Sequence, residues 1–333
     1  MSRIAILGGG GWGTALAIVL SRARRKHDIS LWVHDPALAE SMRRDRENRN
    51  YLPGHRLQPE IDVTSDIHTA ISSAQILIGA IPTAHARVVY SSALASFSPG
   101  AVFVSAAKGL EPATHKRMSE VVAAVVSKST PPFAALSGPS FAAEVARGEP
   151  TAVVLATKDA ALGAELREEF AAPNFRVYTN DDVLGVELAG AMKNVIAIAA
   201  GVCQGLGLGS NPLAALITRG LAEMSRLATA LGAQPETLTG LAGLGDLVLT
   251  CNGALSRNRQ VGIELGKGRA LAEILAGMRM VAEGVGTTAA LLALAREAKV
   301  ELPITEQVAA ILHHGKAPRG AIRDIMERPQ RRE

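Results

Sequence analysis

The stretch Arg3-Ile-Ala-Ile-Leu-Gly8-Gly-Gly10-Gly-Trp-Gly13-Thr-Ala-Leu-Ala-Ile-Val-Leu20 decides the fold class. Arg3 to Leu7 is a short apolar run with strand character, Thr14 to Leu20 carries a helical apolar face, and between them the glycines fall in a G-x-G-x-x-G spacing. Strand, glycine turn and helix in that order open a dinucleotide-binding unit. Gly8 makes the tight turn, Gly10 lets the backbone approach a pyrophosphate, Gly13 lets the helix pack on the strand, and the phosphate sits on the helix amino end. A glycine-rich structural turn is the competing reading. A second strand arriving on time, Ile29 to Val33, weighs against it. That strand ends in His34-Asp35. Asp35 stands where an acid would hold an adenosine ribose, whereas His34 and nearby arginines would accept a 2′-phosphate, so NAD and NADP both stay open.

Working outward, short apolar strands alternate with helical segments: Gln75–Ile81, Ala101–Ser105, and runs around Phe133–Leu136 and Thr151–Ala156. This is the pattern of a doubly wound, mostly parallel sheet. Lys108 follows the second of these strands, at the carboxyl end where ligands of such sheets lie. Ser137-Gly138-Pro-Ser140-Phe-Ala142 supplies a turn and a helix start with exposed backbone N–H groups. After about Asn180 the strand signal disappears and the apolar spacing is helical. The expected architecture is therefore α/β: an N-terminal Rossmann-type domain over 1–180, then an all-helical domain over 181–333, which the polar residues described below mark as the substrate and catalytic half.

The bulk numbers fit an ordinary soluble protein. The chain has 333 residues, 48% apolar and 20% charged, which is length enough for two domains and an unstapled core. Cys203 and Cys251 have no metal-ligand spacing, and the first residues run at once into a strand, so no metal site and a reducing, cytoplasmic setting are expected. The net charge of +4 comes from clusters such as Arg22–Lys26 and the terminal Arg328–Glu333. Without interleaved aromatics or a known module it gives no nucleic-acid surface, but it suits an anionic substrate. The uncharged run Asn194–Thr218 is broken by Gly201, Gly205, Gly207, Gly209 and Pro212, so it reads as two buried helices about a glycine loop, with no membrane span.

In the helical half, Gly185–Ala200 places Lys193 among Ala189, Gly190, Ile196 and Ala197, its neighbours at helical spacing. A lysine so walled in either snorkels to water or loses pKa through desolvation, toward a value useful in proton transfer. Leu241–Thr250 isolates Asp246 in a hydrophobic run, where a carboxylate needs a cationic or donor partner. Ser256-Arg257-Asn258 precedes an apolar helix, giving either a capped helix with a solvated arginine or an anion seat. Glu283, ahead of another helix, reads on its own as a residue complementing the helix dipole.

Together these segments resemble the bacterial NAD(P)-dependent glycerol-3-phosphate dehydrogenases over almost the whole chain. The resemblance rests on Gly8–Ala17, Leu31-Trp32, Asn50–Pro53, Ala107–Glu111, Ser137–Phe141, Lys193–Ile198, Ala215–Arg226, Gly243–Cys251, Ser256–Arg259 and Pro303–Glu306. It implies reversible, NAD- or NADP-dependent conversion of dihydroxyacetone phosphate to sn-glycerol 3-phosphate, feeding phospholipid synthesis. It also implies Lys193 as the proton-transferring residue. Substrate contacts would be Lys108, Gly138, Ser140, Asp246, Ser256, Arg257 and Asn258. Cofactor contacts would be Gly11, Trp12, His34, Lys108, Ala142, Arg257, Val281 and Glu283. Gly11 departs from the family's usual serine, and Val285-Gly286 occupies a variable stretch.

The chemistry stands beside the resemblance: a ketone needs a hydride on one face and a proton for its oxygen, which positioned acid catalysis by Lys193 would supply, with Asp246 orienting it. Rival readings are another hydroxyacid or 6-phosphogluconate-like dehydrogenase, and a catalytically silent NAD(P)-binding redox sensor. The presence of both Lys193 and Asp246 counts against a sensor, which needs neither. Apolar helix in the second half is compatible with a homodimer, though no interface can be read.

Overall fold

The computed structural model describes residues 2–94, 100–126 and 130–329; the end of the basic tail, from 330 on, lies outside them. The first half runs β1 (Ser2–Leu7), α1 (Gly11–Ser21), β2 (His27–Trp32), α2 (Pro36–Asp45), β3 (Ile61–Thr64), α3 (Ile67–Ile71), β4 (Ile76–Gly79) and α4 (Thr83–Leu94). It continues with β5 (Val102–Ser105), α5 (Met118–Val125), β6 (Phe133–Ser137), α6 (Ala142–Arg147), β7 (Thr151–Ala156), α7 (Ala160–Phe170) and β8 (Phe175–Asn180). The eight strands form one sheet in the order β3-β2-β1-β4-β5-β6-β7-β8.

The first six strands are parallel, and their order 3-2-1-4-5-6 is the doubly wound arrangement that the strand and helix alternation leads one to expect. The last two break the pattern. β7 pairs antiparallel with β6, and β8 runs parallel to β7. The chain leaves β6 through Gly138 at φ 119°, lays the six-residue α6 against α1, and returns beside β6 in the opposite sense. Core strands such as Ile4–Leu7 and Ile76–Gly79 are buried throughout, as both faces of a helix-covered sheet require.

Beyond Asn180 every element is helical among the described residues: α8 (Val183–Gly205), α9 (Ser210–Ala230), α10 (Pro235–Thr239), a π-helical turn over Leu241–Gly245, α11 (Asp246–Asn252), α12 (Arg257–Gly266), α13 (Leu271–Ala276), α14 (Glu283–Glu297), α15 (Pro303–His314) and α16 (Pro318–Met326). Helix α8 is their axis. Asp182 caps its start by accepting from the Gly185 amide at 2.8 Å, and most of its length is buried against α9, α11, α12 and α14. It is long and apolar enough to cross a membrane, but 83% of its most apolar window is buried in protein, so it is a core helix. Its partner α9 departs from the expectation of two buried helices. Ser210, Asn211, Pro212, Ala214, Ala215, Thr218 and Arg219 are exposed, because only the Leu213, Leu216 and Ile217 edge of that half reaches the core.

Against α12, α8 makes backbone-to-backbone contact. A Cβ at Gly201 would stand 2.0 Å from the Arg259 carbonyl oxygen, and one at Gly262 would stand 2.0 Å from that of Ile198. Gly205 and Gly266 continue the same close seam one turn on. Side chains elsewhere keep helices 8–10 Å apart; glycine alone permits this approach.

Candidate active site

The turn after β1 takes the shape its glycines allow. Gly8 sits at φ 126°, and a Cβ on Gly13 would come within 1.9 Å of the Gly8 carbonyl oxygen, so α1 rests directly on the strand end. Gly10 is the N-cap of α1, no side chain caps the helix, and a Cβ there would meet nothing within 4 Å. The first-turn amides and the helix dipole thus face an open cradle, which fits a dinucleotide pyrophosphate. Trp12, on that turn, has its indole N–H buried without an acceptor. Gly11 is crowded: a Cβ would stand 2.9 Å from the Tyr51 carbonyl oxygen and 3.9 Å from the Ala142 methyl. The loop around Tyr51 therefore occupies space that a serine here would need.

At the end of β2, His34 is exposed and lies edge-on to Trp32, with ring centroids 5.7 Å apart. Asp35 caps α2, its Oδ1 accepting from the Ala37 amide at 2.9 Å. One of its carboxylate oxygens is thus already engaged.

The second constellation gathers residues far apart in sequence. Lys193 is only 6% exposed, and its Nζ donates to Asp246 Oδ1 at 2.7 Å and to Thr250 Oγ1 at 2.8 Å. The other carboxylate oxygen, Oδ2, accepts from Lys108 Nζ at 2.8 Å. Lys108 also donates to the Gly138 carbonyl at 2.7 Å and to Ser140 Oγ at 3.2 Å, so the turn after β6 holds the ammonium from the sheet side. Gly190 makes room for this: a Cβ on it would lie 3.0 Å from Ser137 Oγ and 3.6 Å from Lys108 Cγ. The π-helical turn ahead of Asp246 and the buried hydroxyl of Thr250, donating to the Asp246 carbonyl at 2.6 Å, aim the carboxylate.

Burial brings the Lys193 pKa down from 10.5 to about 8, with the Lys108 ammonium adding to the drop and the Asp246 carboxylate opposing it. For Asp246 the balance runs the other way. Burial pushes its carboxyl up, but the Lys108 and Lys193 ammonium groups outweigh that and hold it below the usual carboxylate value. One carboxylate between two lysines leaves the cluster an excess of positive charge, suited to an anion or a developing alkoxide.

A third group of residues joins this cluster to the nucleotide sheet. Asn194 donates to the Lys108 carbonyl at 2.9 Å and accepts from Asn258 Nδ2 at 2.9 Å, and Asn258 in turn accepts from the Gly284 amide at 2.9 Å. Ser256 caps α12, accepting from the Arg259 amide at 3.3 Å, while Arg257 is exposed and donates to the Val281 carbonyl at 2.9 Å. Glu283 does more than complement the α14 dipole. Its Oε1 accepts from the Thr83 amide at 3.0 Å and its Oε2 from the Thr83 hydroxyl at 2.6 Å, tying α14 to the amino end of α4. Burial pushes its carboxyl up against those bonds.

The sequence reading assigned no role to Thr250, Asn194, Thr83 or Asn48. Thr250 had a usable signal, since it lies four residues after Asp246 on one helix face. The others depend on contacts that only the folded chain makes.

Comparison with known proteins shows the family. The family described as NAD-dependent glycerol-3-phosphate dehydrogenase N-terminus matches residues 3–163, and its C-terminus counterpart matches residues 182–323. The chain belongs to the NAD-dependent glycerol-3-phosphate dehydrogenase family. It is 54% identical over 331 residues to a glycerol-3-phosphate dehydrogenase [NAD(P)+] of Koribacter versatilis, covering 99% of this chain and 98% of that protein. The enzyme of that name from Acidobacterium capsulatum is 53% identical, with both chains covered in full. A crystal structure of glycerol-3-phosphate dehydrogenase from Coxiella burnetii superposes with a TM-score of 0.93 at 40% identity, covering 98% of this chain and 99% of that one. A ketopantoate reductase from Ralstonia eutropha shares the fold alone, at 17% identity and a TM-score of 0.59.

Proposed function

We propose that this chain catalyses the reversible reduction of dihydroxyacetone phosphate to sn-glycerol 3-phosphate with NADH or NADPH. The observation that carries the reading is the buried Asp246 carboxylate shared by Lys193 and Lys108 at the carboxyl ends of the strands that also carry the glycine cradle. The glycine turn and the amino end of α1 would hold the dinucleotide diphosphate, with Trp12, Ala142 and Glu283 around it. When bound, the cofactor supplies the hydride for the carbonyl carbon.

The chain's own residues supply the rest. The Lys193 ammonium donates its proton to the carbonyl oxygen as that oxygen becomes alkoxide, and in the oxidative direction the neutral amine takes the proton back. A pKa of about 8 leaves both forms accessible near neutrality. Asp246 and Thr250 keep Nζ from turning away, because two of its three donors are already committed to them. Arg257 and the amino end of α12 take the phosphate, whose remote binding energy holds the carbonyl in place. Lys108, fixed from both sides of the cleft, adds positive charge at the reacting end. Residues 1–180 would form the nucleotide-binding unit and 181–333 the unit that brings Lys193, Asp246 and Arg257.

The test is oxidation of NADH and NADPH followed at 340 nm with dihydroxyacetone phosphate against hydroxyacid-derived and other ketones. Turnover confined to the phosphorylated triose supports the reading. Faster turnover of a carboxylate ketone would replace it with a hydroxyacid dehydrogenase.

A further inference from the structure

Asn48 lies in the loop between α2 and β3, outside both constellations, yet no part of it reaches solvent. Its Nδ2 donates to the Gly9 carbonyl at 2.8 Å and to Thr14 Oγ1 at 2.8 Å, and its Oδ1 accepts from the Tyr51 amide at 3.1 Å. Its own carbonyl accepts from the Leu52 amide at 2.9 Å. One side chain thus grips the glycine turn, the first helical turn of α1 and the loop whose Tyr51 carbonyl walls Gly11. A buried asparagine could be satisfied by its own loop alone. This one spends both donors on the nucleotide turn.

The consequence follows from peptide geometry. A trans peptide is planar, with its C=O and N–H pointing in opposite directions, and no peptide bond in the described chain is cis. Pinning the Gly9 carbonyl toward Asn48 therefore turns the Gly10 N–H of the same peptide away from Asn48. A Cβ on Gly10 meets nothing within 4 Å, so that residue borders open space. Flanked by glycines, this peptide has little side-chain packing to hold its orientation.

We infer that Asn48 is a positioning residue of the cofactor site, aiming the Gly10 amide at the dinucleotide diphosphate by holding the Gly9 carbonyl behind it. The inference rests on the proposed placement of the diphosphate at the glycine turn. Because the diphosphate is common to NADH and NADPH, the aim serves both equally.

The experiment uses the full chain and measures affinities for NADH, NADPH and ADP-ribose by fluorescence or calorimetric titration. The Asn48→Ala variant is expected to bind all three about tenfold more weakly, the scale of one well-aligned hydrogen bond, with the NADH to NADPH ratio and the ketone KM at saturating cofactor unchanged. A purely structural role would lower Tm and leave these affinities as in the unsubstituted chain, and that result overturns the inference. A second measurement needs no variant. In the unsubstituted chain, ADP-ribose should slow deuterium exchange of the Gly10 amide at least tenfold, and unchanged exchange at saturating ADP-ribose overturns the inference even if Asn48→Ala does not fold. Failure of the unsubstituted chain to bind NADH, NADPH or ADP-ribose would instead remove the nucleotide-site reading beneath it.

Discussion

Replacing Asp246 by Asn removes one negative charge from between two ammonium groups while keeping the side chain's size. The Lys193 Nζ to Asp246 Oδ1 distance is 2.7 Å. At an effective dielectric of about 20 this pair is worth roughly 6 kcal/mol before relaxation. Water entry and the carbonyl oxygen of the new amide recover part of that, leaving about 3 kcal/mol, or about 2 pKa units off Lys193. Its pKa of about 8 would then fall toward about 6, since burial and the Lys108 ammonium still oppose the charge. At pH 7 the ammonium fraction drops from about nine-tenths to about one-tenth, so ketone reduction loses about tenfold through titration alone. Loosening of Lys108 adds to this, and we expect a loss of about 100-fold in kcat/KM at pH 7. The diagnostic is the shape of the pH profile. Reduction needs the protonated lysine, so its activity falls as pH rises through the Lys193 pKa, and that limb should move from about 8 to about 6 in Asp246→Asn. Activity should partly return as pH is lowered. A limb that stays near 8, or a loss equal at all pH values, would show that Asp246 does not set the charge on Lys193.

In the unsubstituted chain, oxidation of sn-glycerol 3-phosphate needs the neutral amine and should rise with pH through about 8, while ketone reduction falls there; parallel profiles in the two directions would rule out Lys193 as the proton carrier. Lys193→Ala should abolish turnover, at least 10³-fold, with NADH affinity unchanged by titration; near-normal turnover would overturn the assignment. Arg257→Ala should raise the KM for dihydroxyacetone phosphate at least tenfold and leave the NADH Kd within about twofold, the scale of one charge-assisted contact; equal effects would place this guanidinium at the cofactor. Gly13→Ala drives a methyl to 1.9 Å from the Gly8 carbonyl, so scanning calorimetry should show a destabilisation of roughly 1–3 kcal/mol together with weaker NADH binding.

The fold was legible where the signal is local. Alternating apolar runs and turn glycines mark β1, α1, β2, β4, β5 and β6, while the short β3 and the half-exposed β8 gave no such signal, and the loss of strand pattern near Asn180 coincides with the end of the sheet. The reversal of β7 was not legible, because strand direction depends on how α6 docks on α1, a contact between segments more than a hundred residues apart. Lys193 and Asp246 announce themselves as polar residues in apolar runs, and desolvation makes such residues informative. That a second lysine shares the same carboxylate is set by contacts spanning 53 and 138 residues, which no local spacing encodes. Asn48 and Thr83 carry no local signal at all. Each looks like an ordinary loop or helix-start residue until its partners arrive from another part of the chain.

The glycine seam between α8 and α12 has a consequence for which substrates fit. With backbone against backbone, neither helix can slide or tilt without colliding. Lys193 rides on one and Arg257 opens the other, so the span between the proposed proton donor and the proposed anion grip is a calliper locked at one setting. If Lys193 and Arg257 act as proposed, a ketose phosphate one carbon longer should fit this fixed span poorly.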